Sequence, residues 1–467
     1  MLRTVRVGQR CVVTTEPALA QGGHAVARVL DPGDPKTRPA KGGAVGLPPE
    51  WPLDGETGPS RDGAAGRVVF VRGAAPRERV EVELEQVGRR FARARVVRVL
   101  APGPARVEPP CAHARVCGGC DLLFLDEAEA ARAVFDAGRE TLRRVGGLDA
   151  ARLDAIPPPW TQPFAGARTR ARFAVGAGRA GFREARSHRV AEITHCPALH
   201  PALERARRAL AERAAELSPE GVLEVSAVTD GQAVSMAAVA PPARGSAGRP
   251  RGPKRAPARS RARPRLPSAG WPTGVHADGR RLPVRDAAGD FALDPGGFAQ
   301  ASRAGNDALL EHLAARLPRG ARALELYAGS GNFTRLLLAR FDEVHAVEGA
   351  EDAVRRGRGL VPGARWWSGA AQDGLHRTPA PDLVLVDPPR AGLDAPVRSA
   401  LAASPPPRLV YVSCDVGTLA RDLKVLGEGG LSTRAVFAFD LYPGTHHLEW
   451  VAWLERADDQ LPAGVVR

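Results

Sequence analysis

The sequence predicts an α/β protein with a doubly wound, largely parallel sheet at its C-terminal end and a small β-barrel at its N-terminal end. Two patterns predict this fold class. After about residue 286, short apolar strands alternate with helical or loop segments, and the first 100 residues contain short alternating strands separated by glycine-containing turns. The expected domains are a barrel at 1–100, a small central domain at 101–285 and a C-terminal domain at 286–467.

The barrel prediction depends on two runs of residues. Residues 79–85 alternate apolar and charged side chains, and residues 91–99 form a second such run with interleaved arginines. Residues 31–65 are rich in proline and glycine and are expected to form a long loop or insertion. A barrel of this kind is compatible with either a solvated β-domain or an RNA-binding domain.

The central domain combines a helix, strands and a basic segment. Apolar residues recur at helical spacing from Leu122 to about Arg144, and residues 168–190 are expected to form strands with a turn at 176–178. Residues 241–274 have almost no apolar content, so we expect a disordered basic insertion there. A solvated tether and an electrostatic contact to phosphates are both compatible with it.

The overall composition excludes several classes of protein. The 467 residues are 44% hydrophobic and 25% charged, which suits a globular chain and excludes a disulfide-stapled miniprotein. Because we find neither an apolar run of ~18 residues nor a secretory signal, we expect a soluble cytoplasmic protein with no membrane partner. The net charge of +14 supports nucleic-acid binding weakly, because residues 241–270 alone contain nine cationic side chains and no acidic one.

The first strand of the C-terminal domain, at 323–326, leads into a loop that contains Gly329 and Gly331. Glycines at the end of such a strand let a ligand approach the backbone closely. Glu348 ends the next strand, where a carboxylate can bind ribose hydroxyls. Neither a third glycine at dinucleotide spacing nor a phosphate loop is present, which favours S-adenosylmethionine over NAD or ATP. A structural glycine turn is the alternative.

Two later strands end in residues that suit covalent catalysis. Asp387 and Arg390 follow the strand at 383–386, and Cys414 follows the strand at 409–412. Because the carboxyl ends of parallel strands share one edge, we expect these residues to face the glycine loop. We predict that Cys414 is a nucleophile, the alternative being a buried small apolar residue.

Glu449 directly precedes the apolar residues 450–454. Desolvation there would raise the pKa of the carboxyl and suit it to proton transfer, whereas a surface carboxylate is the alternative. The adjacent His446 and His447 have no evident third ligand, so we expect no metal site at that pair.

Four cysteines form a separate constellation. Cys111, Cys117 and Cys120 have the spacing C-x5-C-x2-C, and Cys196 follows later. In a reducing compartment four thiols indicate a metal site and not disulfides. Structural zinc and an iron–sulfur cluster both accept four cysteines, and the spacing leaves both open.

These motifs resemble the bacterial uracil-5 RNA methyltransferases that carry an N-terminal TRAM domain and a cysteine-bound cluster, most closely the 23S ribosomal RNA branch. The resemblance covers nearly the whole chain and rests on the blocks at 387–392, 411–414 and 440–449, the four cysteines and the segment 181–188. It implies a Rossmann-like catalytic domain, a TRAM or OB-like barrel that binds RNA, and methylation of carbon 5 of a uridine.

The resemblance also implies roles for single residues. Cys414 would add to carbon 6 of a flipped-out uracil, and Glu449 would remove the proton from carbon 5. The expected contacts to S-adenosylmethionine are Gln300, Tyr327, Gly329, Gly331, Asn332, Glu348, Asp373 and Asp387. The expected ligands of a 4Fe-4S cluster are Cys111, Cys117, Cys120 and Cys196.

The chain departs from the family pattern at four positions. Asp415 stands where Asn is usual, and a second carboxylate near Cys414 would oppose its thiolate. Ala328 replaces a frequent Cys in the glycine loop, Tyr442 replaces Phe, and Gly444 stands where Gln or His is common. None of these changes removes a reacting group.

Three alternatives stay open. Transfer RNA is the second possible substrate beside 23S ribosomal RNA. Methylation of an exocyclic amine also uses an Asp-Pro-Pro turn but needs no nucleophilic cysteine. A catalytically silent iron–sulfur RNA-binding protein is the non-enzyme alternative, and the intact Cys414 and Glu449 argue against it. We expect a monomer.

Overall fold

The computed structural model describes residues 7–28, 68–88, 91–176, 178–218, 222–239, 265–378 and 380–457. These residues form two compact units. The first ends at Val107 and includes Phe124–Asp126, and the second comprises Glu108–Leu123 and the chain from Glu127 onward. The predicted insertion at 31–65 and residues 241–264 lie outside the described residues.

The first unit is the expected barrel. Its strands are β1 (Arg10–Ala20), β2 (His24–Arg28), β3 (Val68–Arg72), β4 (Arg79–Val87) and β5 (Phe91–Ala101). They close in the order β1-β2-β3-β5-β4, with β4 antiparallel to β1. The alternation predicted for residues 79–85 is confirmed, because Val80, Val82 and Leu84 are buried in the interior while the residues between them face outward.

The arginines interleaved in β5 are largely neutralised on the outer face. Arg95 pairs with Glu83 of β4 at 3.0 Å, and Arg98 pairs with Glu81 at 3.5 Å. Arg93 instead lies over the ring of Phe91, 5.7 Å from its centroid. The basic character of this face is therefore smaller than the sequence suggests.

The second unit begins with two helices and a small mixed sheet. Its elements are α1 (Glu127–Arg144), α2 (Ala150–Asp154), β6 (Arg170–Gly176), β7 (Arg179–Gly181), α3 (Pro201–Glu212), α4 (Ala214–Leu217), β8 (Leu223–Thr229), β9 (Val234–Val239) and β10 (Val275–His276). The sheet order is β10-β9-β8-β6-β7. Residues 265–274 differ from the expected disordered insertion, because Leu266 and Trp271 pack on the core of this sheet.

The large sheet follows a hairpin of β11 (Leu282–Asp286) and β12 (Gly289–Leu293). Its elements and the helices between them are α5 (Arg303–Arg316), β13 (Gly320–Leu326), α6 (Thr334–Leu338), β14 (Phe341–Glu348), α7 (Glu351–Leu360), β15 (Arg365–Ser368), α8 (Ala371–Arg377), β16 (Leu383–Val386), α9 (Ala395–Ala403), β17 (Arg408–Ser413), α10 (Val416–Glu428), β18 (Leu431–Phe439) and β19 (Glu449–Arg456). The order is β15-β14-β13-β16-β17-β19-β18, and among these described strands β19 alone runs opposite to the other six. The predicted doubly wound sheet is confirmed.

Apolar clusters cover both faces of this sheet. On one face α1 packs closely against β19, since the rings of Phe135 and Trp450 stack at 5.8 Å. A Cβ atom on Gly138 would lie 2.2 Å from Trp450, so a glycine is required for this approach. The packing fixes the start of β19, where Glu449 lies.

Candidate active site

The expected catalytic and cofactor residues meet at one edge of the large sheet. Leu326 is in register with Val386, and Val386 with Tyr411, so β13, β16 and β17 end side by side. Ser413 is opposite Trp450 on the antiparallel β19, which places the beginning of β19 at the same edge. Tyr327, Asp387, Cys414 and Glu449 therefore occupy neighbouring strand ends. The sequence predicts this meeting for the glycine loop, Asp387 and Cys414.

Cys414 is partly buried and surrounded by charged side chains. Burial raises the pKa of its thiol to about 11, and the carboxyls of Glu449, Asp387 and Asp415 add to this rise, whereas the Arg390 guanidinium opposes it. The rise caused by Asp415 agrees with the prediction that a carboxylate at this position opposes the thiolate of Cys414. The free thiol of Cys414 is therefore mainly protonated and neutral near pH 8.

Glu449 is 2% exposed, which excludes the alternative of a surface carboxylate. Burial raises the pKa of its carboxyl well above the usual range, and the nearby Asp387 carboxyl raises it further. Burial and the negative charge of Glu348 likewise raise the pKa of Asp387 to about 7. Such carboxyls bind protons more readily than exposed ones, which suits a base that acts near neutral pH.

Arg390 is the cation that faces this group of carboxyls. Its Nη2 donates a hydrogen bond to His447 Nε2 at 3.1 Å. Burial, His446 and Arg390 lower the pKa of His447 to about 4, so the imidazole is neutral at pH 7 and can accept this bond. The sequence placed both residues in family blocks but gave no signal that they contact each other.

Asp415 has a structural role beside its charge. It precedes α10, and its Oδ1 accepts a hydrogen bond from the Thr418 N–H at 2.9 Å. A carboxylate at this position satisfies one of the free N–H groups at a helix start. Asp415 therefore caps α10, a role that Asn could also fill.

The glycine loop is braced by Glu348. Gly329 N–H donates to Glu348 Oε2 at 3.0 Å, and Ala350 N–H donates to its Oε1 at 2.8 Å. Gly331 has a φ of +100°, and a Cβ there would lie 2.7 Å from Val361, so glycine is required on both grounds. Tyr327, which lies just after β13, has a φ of +63°, a strained value for a residue other than glycine.

An open cavity adjoins this loop. It is lined by five of the predicted cofactor residues, namely Gln300, Tyr327, Gly329, Asn332 and Asp387. The lining does not include Gly331 or Glu348, nor Asp373, which is exposed in the first turn of α8. The sequence missed Arg170, Asn306 and Glu325, which also line the cavity.

Hydrogen bonds orient two of the lining amides. Asn332 Nδ2 donates to Asn306 Oδ1 at 2.9 Å, and the Tyr442 hydroxyl donates to Gln300 Oε1 at 3.3 Å. The hydroxyl that distinguishes Tyr442 from the usual Phe therefore holds Gln300. No sequence pattern indicated this contact, because 142 residues separate the two side chains.

The lining also fits a polar ligand such as S-adenosylmethionine. Three lining residues have a buried side-chain atom without a hydrogen-bond partner among the described residues: Arg170 Nε, Asp307 Oδ1 and Ser330 Oγ. Such atoms are rare in folded proteins and indicate a missing partner. Burial also raises the pKa of Glu325 to about 8, and the Thr334 hydroxyl donates to it at 2.5 Å.

The four predicted metal-ligand cysteines lie near one another, and none is in a disulfide. Burial and the three other thiols raise the pKa of Cys120 to about 12, and the guanidinium of Arg168, 3.6 Å from Cys120 Sγ, opposes this rise. In the described part of the chain, no three His, Cys, Asp or Glu side chains have an arrangement that could hold a metal ion. The chemistry of four thiols beside a cation nevertheless fits an anionic iron–sulfur cluster.

The fold and the site together define an S-adenosylmethionine-dependent methyltransferase with a Rossmann-like domain. Residues 378–457 match the family described as tRNA (Uracil-5-)-methyltransferase. The chain is 35% identical over 425 residues to the 23S rRNA (uracil(1939)-C(5))-methyltransferase RlmD of Halomonas elongata, which covers 84% of this chain and 86% of that protein. The chain belongs to the RNA uracil-5 methyltransferase family.

Two further comparisons agree with this assignment. An uncharacterized RNA methyltransferase of Streptomyces coelicolor is 33% identical over 91% of this chain and 98% of its own length. The crystal structure of the Pyrococcus abyssi tRNA (uracil-54, C5)-methyltransferase with S-adenosyl-L-homocysteine matches with a TM-score of 0.59 at 22% identity, over 83% of this chain and 97% of that chain. This second likeness supports the fold. No helix in the described ranges has the length and apolar content that crossing a membrane requires.

Proposed function

We propose that this RNA methyltransferase modifies carbon 5 of a uridine in 23S ribosomal RNA, with Cys414 as nucleophile and Glu449 as base. The observation that carries the proposal is the convergence of Cys414, Glu449 and the cofactor cavity at one sheet edge. The ribosomal branch is supported by the two RlmD proteins at 35% and 34% identity. Transfer RNA is the second candidate, because the matching family model is described by that substrate.

Carbon 5 of uracil is a weak nucleophile, so the enzyme must first activate the ring. Cys414 adds through its sulfur to carbon 6, which concentrates electron density on carbon 5. Arg390 favours the thiolate that this addition requires, since its charge lowers the pKa of Cys414. After methyl transfer, Glu449 takes the proton from carbon 5 and the bond between sulfur and carbon 6 breaks, which restores the ring.

S-adenosylmethionine, when bound, supplies an electrophilic methyl group. Glu348 would hold the ribose, while the residues of the cavity would hold the methionine part. Asp373 would lie near the adenine. The remaining assigned contacts are Gln300, Tyr327, Gly329, Gly331, Asn332 and Asp387, of which all but Gly331 line the cavity.

We also propose that Cys111, Cys117, Cys120 and Cys196 hold a 4Fe-4S cluster. Backbone N–H groups support this assignment, because Gly119 donates to Cys117 Sγ at 3.4 Å and such bonds stabilise cluster thiolates. Iron and sulfide analysis of protein purified without oxygen tests it. About four irons per chain, lost on Cys120→Ser, is the expected result, and one zinc per chain would contradict it.

The barrel is proposed to be a TRAM-type domain that binds RNA. Phe70 and Phe91 pack edge to face at 5.7 Å, and Arg93 lies over the Phe91 ring. An exposed aromatic ring beside a guanidinium suits base stacking and phosphate contact. We further propose a cytoplasmic monomer whose functional divisions fall near residues 100 and 285.

Transfer of labelled methyl groups to purified transcripts tests the proposed function. The full-length enzyme should methylate a 23S ribosomal RNA fragment and produce 5-methyluridine, while a tRNA transcript stays unlabelled. Cys414→Ala should abolish the product, because no other thiol lies at this edge among the described cysteines. Methylation of tRNA alone would show that transfer RNA, and not 23S ribosomal RNA, is the substrate. Methylation of an exocyclic amine that survives Cys414→Ala would overturn the proposal.

A fluorinated substrate separates the two catalytic roles. RNA with 5-fluorouridine at the target has no removable proton on carbon 5, so the adduct with Cys414 should persist on denaturing gels. Glu449→Gln should form an adduct with ordinary RNA and release it slowly, about 10²- to 10⁴-fold below the native rate. Asp278→Asn, which changes an exposed carboxylate paired with Arg280, serves as the matched control.

A further inference from the structure

Two loops of the second unit are tied together by an exposed carboxylate. We name residues 111–123 the cysteine segment and residues 440–448, between β18 and β19, the Glu449 loop. Asp121 of the cysteine segment accepts a hydrogen bond from the His446 N–H at 3.0 Å, and its second oxygen contacts His446 Nδ1. Gly444 O in turn accepts bonds from the N–H groups of Asp121 and Leu122 at 3.2 and 3.1 Å.

The contact continues from His446 toward the reacting thiol. The rings of His446 and His447 lie 3.9 Å apart, and His447 Nε2 accepts the bond from Arg390. Arg390 is the cation that lowers the pKa of Cys414. A set of contacts therefore runs from Asp121 through two imidazoles to the Arg390 guanidinium, whose charge acts on Cys414.

Glu449 does not depend on this set of contacts. It pairs in register with Phe439, and Trp450 pairs with Ala438, so strand pairing holds Glu449 at the start of β19. His446 and His447 lie outside that pairing. Asp121 accepts a bond from the His446 N–H, the Thr445 hydroxyl accepts one from the His447 N–H, and the His447 ring contacts Arg390 and Tyr442. Loosening the Asp121 contact should therefore displace Arg390 and leave Glu449 in place.

We propose that Asp121 is a positioning residue for Cys414, because it fastens the Glu449 loop and thereby keeps the Arg390 guanidinium near enough for its charge to act on the thiol. The inference rests on the proposed role of Cys414 as nucleophile. Since Asp121 directly follows Cys120, the same contacts connect the cysteine segment with the reacting thiol. The side chains of Asp121 and His446 are 44% and 28% exposed, so their loss should leave the fold intact.

The rate of Cys414 alkylation tests the proposal without RNA or methyl donor. Iodoacetamide is added to the full-length protein at fixed pH, and the modified Cys414 peptide is quantified by mass spectrometry. Asp121→Ala and His446→Ala should each slow the reaction about three- to tenfold, because the thiolate loses a nearby cation. Asp121→Asn keeps one acceptor oxygen for the His446 N–H and should give an intermediate rate. The Asp278→Asn control should react at the native rate.

Two combined variants distinguish a positioning role of Asp121 from a general loosening of the local structure. The double variant Asp121→Ala/His446→Ala should react no more slowly than Asp121→Ala alone, since Asp121→Ala already removes both bonds to His446. In an Arg390→Gln background, Asp121→Ala should have no further effect. Native alkylation in the single variants, or equal slowing with and without Arg390, would overturn the proposal. Failure of 5-methyluridine formation by the native enzyme would instead overturn the proposed function, which this alkylation assay does not measure.

Discussion

The protonation of Cys414 gives the most direct test of the site electrostatics. Its pKa of about 11 lies two units above the reference value of 9.0, chiefly because the thiol is buried. At pH 8 roughly one thiol in a thousand is ionised, against about one in ten for a thiol at the reference value. Cys414 should therefore be alkylated about a hundredfold more slowly than an unperturbed thiol at this pH.

The sign of the pH dependence follows from the same value. The thiolate is the reactive form, so the alkylation rate should rise about tenfold per pH unit from pH 7 to pH 10 and level off near pH 11. The groups that face the sulfur are Glu449, Asp387, Asp415, Arg390 and Tyr442. Removing a carboxylate should move the curve to lower pH, and removing the cation should move it to higher pH.

Two variants check these opposite shifts. Glu449→Gln removes the largest charge effect on the thiol and should speed alkylation at pH 8, while Arg390→Gln should slow it. The assay is peptide mass spectrometry over a pH series, with circular dichroism as the control for folding. A plateau below pH 9 in the native protein, or shifts of the same sign in both variants, would refute this account of the site.

Three further predictions concern the cofactor site and the loops. Tyr442→Phe removes the hydrogen bond to Gln300 and should weaken S-adenosyl-homocysteine binding about two- to tenfold by calorimetry, whereas native affinity would contradict the assigned contact. Glu348→Gln should weaken S-adenosyl-homocysteine binding more strongly, about ten- to a hundredfold. An equal effect on ligands without ribose would argue against the proposed contact between Glu348 and the ribose. Gly444→Ala should lower the free energy of unfolding by about 1 to 3 kcal/mol in denaturant titrations, because its φ is +79° and the new Cβ would lie 2.6 Å from Leu123; an unchanged midpoint would refute it.

The sequence predicted the strand ends well because each strand there is a short apolar run that stops at polar residues. The glycine loop after Leu326, the Asp387 turn and Cys414 each follow such a run, and parallel strands bring their carboxyl ends together whatever their order. Glu449 was identified in the same way, from the apolar residues that follow it. The barrel interior was predictable from the alternation of β4 alone.

Contacts between side chains far apart in the chain were not predictable. The bond from Arg390 to His447 spans 57 residues, and that from Tyr442 to Gln300 spans 142. Neither leaves a periodic pattern, because a single pair of side chains imposes no repeat on the sequence. The ion pairs of Arg95 and Arg98 in β5 with Glu83 and Glu81 of β4 were not predicted either.

The central claim is methylation of carbon 5 of a uridine in 23S ribosomal RNA. The most direct measurement is mass spectrometry of nucleosides from separately purified ribosomal and transfer RNA, in cells with and without the gene for this chain. Loss of 5-methyluridine from the ribosomal fraction, restored by the native chain and not by Cys414→Ala, is the predicted result. Unchanged 5-methyluridine in both fractions would contradict the claim.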